Sequence, residues 1–320
     1  MSTTFSDATL PVIDLSLLKG AEQNRETLAL SLANACLHRG FFYITEHAIP
    51  GELIDRVFRE SRALFDLPEA DKEAVHKSRS RANRGYEPLR GQTLEPGSPP
   101  DLKEGFYIGE ELGESAPPVK DGRFNQGPNQ WPHQQAAFRD TMTEYFQAMN
   151  ELGSRIMQGL ALSLDLPRDF FDDFCHKPMS TLRLLHYPPQ PPNPKPGEKG
   201  CGAHTDFGGI TILLLDNNPG LQVWDTGSEG WIDANPIPGT FVVNLGDMIA
   251  RWTNDRCRST LHRVVNTSGV ERYSVPFFYS GNPDHEVTCL PTCLADGDQP
   301  HYPPTTVEAH LMEMYRRTYV

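Results

Sequence analysis

A chain of 320 residues with a formal net charge of −13 has the length for one large domain or two small ones. The acidic balance argues against a nucleic-acid backbone or an anionic membrane as partner, since both favour clustered Lys and Arg. No apolar run reaches the length of a membrane span, and Met1-Ser-Thr-Thr-Phe5 offers neither a basic leader nor an apolar core. Cys36, Cys175, Cys201, Cys257, Cys289 and Cys293 are scattered without a zinc-type CxxC pair. They predict free thiols in a reducing cytoplasm, with Cys289 and Cys293 the pair that could bridge.

In chain order, Pro11 to Leu15 reads as a first strand and Glu22 to His38 as a helix ended by Gly40. Phe41 to Thr45 is a second strand, and Glu52 to Phe65 an amphipathic helix before Pro68. Between Lys77 and Trp131 the pattern is mostly loop, rich in Gly and Pro and broken by a strand at Glu104 to Ile108. Pro132 to about Leu164 is a long helix with Phe138, Met142, Tyr145, Met149, Leu152 and Ile156 on one stripe, a pattern of scaffold packing. From Thr181 the strands dominate: Leu182 to Tyr187, Ile210 to Leu215, Leu221 to Trp224, Phe241 to Asn244, Leu261 to Val265 and Tyr273 to Tyr279. Pro188-Pro-Gln-Pro-Pro-Asn-Pro-Lys-Pro196 is a stiff surface connection, and Thr306 to Arg317 a closing helix. Many short strands between Gly, Pro, Asn and Asp turns predict a sandwich or jelly roll.

Three residues in this β-rich half carry metal chemistry. His204 and Asp206 are one residue apart, and on an extended strand such positions project from one face. His262 lies in a later β-branched run, Ser259-Thr-Leu-His-Arg-Val-Val265. Two histidines and one carboxylate form the facial triad of non-heme Fe(II) oxygenases, although zinc accepts the same ligand types. Arg272 and Ser274 then share a strand face, a guanidinium and a hydroxyl suited to gripping a carboxylate. His-x-Asp or Arg-x-Ser alone is common by chance; their order within strand-like sequence gives the combination its meaning.

These segments resemble the isopenicillin N synthase-like branch of the Fe(II)/2-oxoglutarate-dependent oxygenases. The resemblance rests on His204-Thr-Asp206, Gly220-Leu-Gln-Val223, Val243-Asn-Leu-Gly-Asp247, Ser259-Thr-Leu-His-Arg-Val264 and Arg272-Tyr-Ser274, with Leu10-Pro-Val-Ile-Asp14 and Arg39-Gly-Phe-Phe-Tyr43 at the N-terminal end. Ala82-Asn-Arg-Gly-Tyr86, Leu182 to Pro188 and Ala250 to Asp255 are most similar to microbial members such as fungal thymine hydroxylase.

The resemblance implies a mixed α and β fold, a double-stranded β-helix (distorted jelly-roll) core flanked by supporting helices. It implies one oxygenase domain over 1–320, with an N-terminal region at 1–130, the long helix and following segment at 131–179, the core at 180–303 and the closing helix at 304–320. It implies Fe(II) held by His204, Asp206 and His262, with 2-oxoglutarate as co-substrate on Arg272, Ser274 and Tyr187, and O2. Leu185 stands where plant members carry an Asn on the strand before the iron motif, so that polar contact is missing.

The expected reaction is hydroxylation of a C–H bond in a small molecule, with 2-oxoglutarate going to succinate and carbon dioxide. A relative that needs no 2-oxo acid and a non-catalytic metal-binding module are the alternatives. Asn83, Arg84 and Tyr86, in a loop that the family sets near the site's mouth, are candidate substrate residues. Arg183, on the face of Leu185 and Tyr187, and Phe278, by strand parity, complete the set. No nucleic acid, membrane or obligate protein partner is expected.

Overall fold

Alternation of side chains along five strands sets the architecture. Phe42 and Ile44, Leu182 and Leu184, Ile210 and Ile212, Phe241 and Val243, and Val275 and Phe277 all point into one large core against the helices. Their neighbours Phe41, Tyr43, Leu185, Tyr187 and Val242 point the other way, into a second core between two sheets. Both faces of these strands are therefore buried, which is why they read as nearly continuous apolar runs.

The chain is described here by a computed structural model covering residues 9–133, 136–191, 193–295 and 297–318. The expectation for the extreme N-terminus falls mostly outside the described residues, as do residue 192 of the proline tract and residues 134–135 near the start of the long helix.

An eight-stranded sheet runs in the order Val12–Asp14, Phe41–Thr45, Phe241–Leu245, Ile210–Leu215, Arg272–Tyr279, Ser180–Tyr187, Glu104–Gly109 and Gly85–Glu87. Its first pair is parallel and the rest are antiparallel. A four-stranded sheet, Cys201–His204, His262–Val264, Leu221–Asp225 and Gly230–Asp233, faces it. Together they form the double-stranded β-helix, with helices covering the outer face of the larger sheet. Pro276 lies in a central strand, where it has no N–H to give, and the ladder to Ser180–Tyr187 skips Val275 and Pro276.

The long helix spans Ala136–Ser163, and all six residues of its predicted stripe are buried. It packs against the helices Glu22–His38 and Gly51–Phe65. The closing helix is Val307–Thr318. Its Glu308 accepts from Arg123 and from the Phe124 N–H, and His310 Nε2 lies 2.9 Å from the Phe207 carbonyl.

Three expectations change. The region from Lys77 to Trp131 holds an additional strand, Gly85–Glu87, and a short helix, Pro117–Lys120. The strand is only three residues long, too short for alternation to register, and exists because Tyr86 and its neighbours add to the edge at Phe106. The strand carrying His204 ends there, so His204 and Asp206 do not share an extended strand. The Asp206 carbonyl instead accepts from the Asp247 N–H at 2.8 Å, turning the chain toward the larger sheet. The short strand Gly230–Asp233 also escaped the sequence pattern, its side chains being only partly covered.

Leu152 is fully buried beneath the larger sheet, whereas Leu30 is 72 % exposed. Leu152→Ala should therefore lower the unfolding free energy by about 2–5 kcal/mol in urea titrations, and Leu30→Ala by less than about 0.5 kcal/mol. Equal effects would show that the long helix is not the support of the core.

Candidate active site

His204 and His262 are direct partners across antiparallel strands, which brings their ring centroids to 4.2 Å. Asp206, from the turn that follows, puts Oδ1 at 3.8 Å from His204 Nε2 and 3.9 Å from His262 Nε2. Three potential ligand atoms thus lie within 4.8 Å of one another.

Each is fixed from behind. His204 Nδ1 lies 2.8 Å from the Gly202 carbonyl and His262 Nδ1 3.1 Å from the Thr260 carbonyl. A carbonyl can only accept, so each ring carries its proton on Nδ1 and turns an Nε2 lone pair inward. Asp206 Oδ2 accepts from Thr211 Oγ1 at 2.6 Å and Asn244 Nδ2 at 2.8 Å, leaving Oδ1 toward the histidines. Gly246 is required beside it, because a Cβ there would fall 2.2 Å from the Gly208 carbonyl.

Burial, then the neighbouring His204, lowers His262 to about 4, and burial also lowers His204. Burial pushes the Asp206 carboxyl up, but the two histidines and its Thr211 and Asn244 donors hold it below the ordinary carboxylate value. A carboxylate with two neutral imidazoles is the protonation state that binds a divalent ion.

Beside the triad a cavity between the sheets is lined by Leu185, Tyr187, Leu213, Arg272 and Ser274. Strand pairing sets Arg272 opposite Tyr187 and Ser274 opposite Leu185. The Arg272 guanidinium is 1 % exposed and lies 4.9 Å from the Tyr187 ring centre. Its Nε and Nη1 find no hydrogen-bond acceptor among the described residues. Tyr187 lies beside Ser274, and burial raises its phenol to about 12, so it stays neutral. Leu185 contributes only apolar surface to this wall.

A second cavity opens on the other side of His204 and Asp206, with Arg183 and Phe278 in the walls of both. Arg183 is 6 % exposed, bonded to Glu87 and Gln92, and lies 4.4 Å from the Tyr107 ring centre. Burial pushes Glu87 up, yet Arg183 and then Lys77 pull it down to about 2. Asn83, Arg84 and Tyr86 are absent from both walls. The Tyr86 hydroxyl donates to Glu104 at 2.6 Å, while Asn83 and Arg84 hold Asn125. Asn125, Phe207 and Tyr315, which sequence reasoning did not single out, do line the second cavity. Phe207 could have been found beside His204-Thr-Asp206; nothing local marks Asn125 or Tyr315.

A family profile described as the 2OG-Fe(II) oxygenase superfamily matches residues 178–281, and one described as the non-haem dioxygenase N-terminal region of morphine synthesis matches 10–134. The "2-oxoglutarate-Fe(II) type oxidoreductase hxnY" of Emericella nidulans is 47 % identical over 314 residues, 97 % of this chain and 90 % of that one. The chain belongs to the 2OG-Fe(II) oxygenase superfamily. A "2-oxoglutarate-dependent dioxygenase citB" of Monascus ruber is 37 % identical, covering 99 % of this chain and 98 % of its own. Among solved structures, the full-length thymine hydroxylase of Neurospora crassa in complex with alpha-KG superposes with a TM-score of 0.87 at 32 % identity, covering 99 % and 98 % of the two chains. As a 2OG-Fe(II) oxygenase this protein is a dioxygenase that uses Fe(II), 2-oxoglutarate and O2. No helix among the described residues is long and apolar enough to cross a membrane.

His47 and His310 are lowered by burial in the same way as His204 and His262. The unfolded chain then takes up more protons than the folded one below the ordinary value of 6.5, down to about 4 for His262. The melting temperature of the metal-free protein should therefore fall as pH is lowered through that window. A melting temperature unchanged there would contradict the desolvation of these rings.

Proposed function

We propose that His204, Asp206 and His262 hold Fe(II), that Arg272, Ser274 and Tyr187 hold a carboxylate of 2-oxoglutarate, and that the protein hydroxylates a C–H bond of a small polar molecule seated near Arg183 and Phe278. The observation that carries this reading is Arg272. A guanidinium 1 % exposed, with two nitrogens lacking acceptors, is costly without an anion beside it. Its cavity also reaches the triad, so an acid held there would bring its other end to the metal.

The residues fit the implied groups by their chemistry: two neutral imidazoles and a carboxylate suit a divalent metal, and an unpaired arginine suits an acid. When bound, iron with 2-oxoglutarate and O2 supplies the oxidation, turning a C–H bond into C–OH while the 2-oxo acid leaves as succinate and carbon dioxide. The chain's own work is orientation and exclusion of water. Thr211 and Asn244 keep Asp206 from turning, Tyr187 and Ser274 set the plane of the Arg272 grip, and Phe278 and Leu94 keep both cavities apolar near the triad. The Neurospora relative, solved with alpha-KG and thymine at 31 % identity, supports a small polar substrate.

The same reading takes the whole chain as one oxygenase domain, since the eight-stranded sheet joins strands of the N-terminal region to those of the core at 180–303. Six free thiols support a reducing, cytoplasmic setting.

In an anaerobic titration of metal-free protein with Fe(II) and then 2-oxoglutarate, a metal-to-ligand visible band should form only after both additions. Arg272→Ala removes one partner of a buried charge pair, about 2–5 kcal/mol, so the 2-oxoglutarate requirement should rise from roughly 30-fold to a few thousand-fold. An unchanged requirement would remove Arg272 from the site. His262→Ala should lose iron-dependent succinate release altogether, and wild-type turnover in that variant would refute the triad.

A further inference from the structure

Asn125 lines the cavity on the far side of His204 and Asp206 and is 6 % exposed. Two hydrogen bonds fix it: Arg84 Nη2 donates to its carbonyl at 2.6 Å and Asn83 Nδ2 donates to its Oδ1 at 2.5 Å, while its side-chain amide lies beside the Tyr315 hydroxyl of the closing helix. Its backbone is left-handed, φ 54°, as is that of Asn83, φ 55°. Asn is among the few residues that accept that conformation as single positions.

The clasp is rigid. Arg84 is 2 % exposed, donates through Nη1 to the Ala82 carbonyl at 2.8 Å, and packs so closely on Gly109 that a Cβ there would lie 1.9 Å from Nη2. Both hydrogen-bonded nitrogens of this buried guanidinium serve backbone carbonyls, with no carboxylate in hydrogen-bond contact among the described residues. Neither the metal site nor the Arg272 pocket accounts for such an arrangement. What it does is hold one carboxamide still at a cavity wall.

The hydrogen-bond inventory of that carboxamide then decides its use. Its oxygen is engaged by Asn83 and its amide lies beside the Tyr315 hydroxyl, so the side chain keeps donor capacity toward the cavity. We propose that Asn125 is a substrate-binding residue whose side-chain N–H takes an oxygen acceptor of the substrate, with Asn83 and Arg84 as its positioning residues. The substrate class is then a small molecule that presents a carbonyl or carboxylate oxygen to Asn125 while a C–H bond faces the triad. This rests on the reading of the triad as the iron site.

The full chain, loaded anaerobically with Fe(II) and 2-oxoglutarate, tests it through the change in the visible band on adding thymine, 2-pyridone, benzoate or toluene. At least one of the three oxygen-bearing probes should bind at least about ten times more tightly than toluene, and the preference between benzoate and the two carbonyl probes separates the two sources of acceptor. Asn125→Ala should weaken the favoured probe by about 2- to 10-fold, the range of one neutral hydrogen bond. Asn83→Ala should weaken it comparably, with the double variant no worse than Asn125→Ala alone, because both changes remove one interaction. If Asn125→Ala does not fold, Asn125→Asp keeps an oxygen for Asn83 but exchanges the donor for a charged acceptor, and should weaken the favoured probe at least as much. Toluene binding as well as every other probe, no binding by any of them, an unaltered affinity in the Asn125 variant, or additive effects of the two substitutions would each overturn the proposal. Failure of the band to form in the wild-type protein would instead sink the iron and 2-oxoglutarate reading.

Discussion

The Asp206 carboxylate is where the two sheets of this fold are tied together. Its chain position lies in the turn just past the smaller sheet, two residues after His204, but Thr211 and Asn244, which bind its outer oxygen, stand on adjacent strands of the larger one. The two histidines face it from the smaller sheet as cross-strand partners. Any shift of one sheet against the other would therefore lengthen charge-assisted bonds to a buried carboxylate, and these are stronger than neutral hydrogen bonds. The constraint works in both directions: the packing of the sheets sets the ligand geometry, and the ligand geometry fixes how the sheets pack.

Most of the fold was legible because the central strands are short, nearly continuous apolar runs bounded by turn residues, and the long helix carries an uninterrupted stripe. The helix Glu22–His38 and the strand Phe41–Thr45 match their predicted bounds for a related reason, the Gly40 break that separates two periodic segments. Gly85–Glu87 was not legible, since a three-residue edge strand has no period of its own and is created by its partner. The strand end at His204 was likewise hidden, because what stops it is a hydrogen bond from Asp247, far away in the chain.

The site divides along the same line. His204, Asp206, His262, Arg272 and Ser274 were singled out by chemistry and local spacing in short motifs, Arg183 and Phe278 by strand parity, and all seven line one cavity. Asn83 and Arg84 do not themselves line either cavity. Their side chains reach through the loop to Asn125, a residue whose neighbours in sequence offer no periodicity and no motif. Tyr315 arrives from a helix whose seat depends on Glu308 meeting Arg123 and on His310 meeting the Phe207 carbonyl. Such long-range polar contacts cannot be read from composition or period, because nothing local distinguishes these side chains from solvated ones or from those that bond their own backbone.

Two buried arginines show how the protein separates its tasks. Arg183 is compensated within the chain by Glu87, so its charge is already answered and it serves as wall and hydrogen-bond donor. Arg272 has no such carboxylate partner among the described residues, and its neighbours Tyr187 and Ser274 add polarity without adding negative charge. An internal counter-ion beside Arg272 would have satisfied it permanently and closed the cavity to an acid. Leaving that compensation out costs stability in the empty protein, a cost that an anion bound there would offset. The two arginines thus differ in their counter-charge: Glu87, with Gln92 beside it, answers Arg183 and fixes that wall, whereas no described carboxylate answers Arg272.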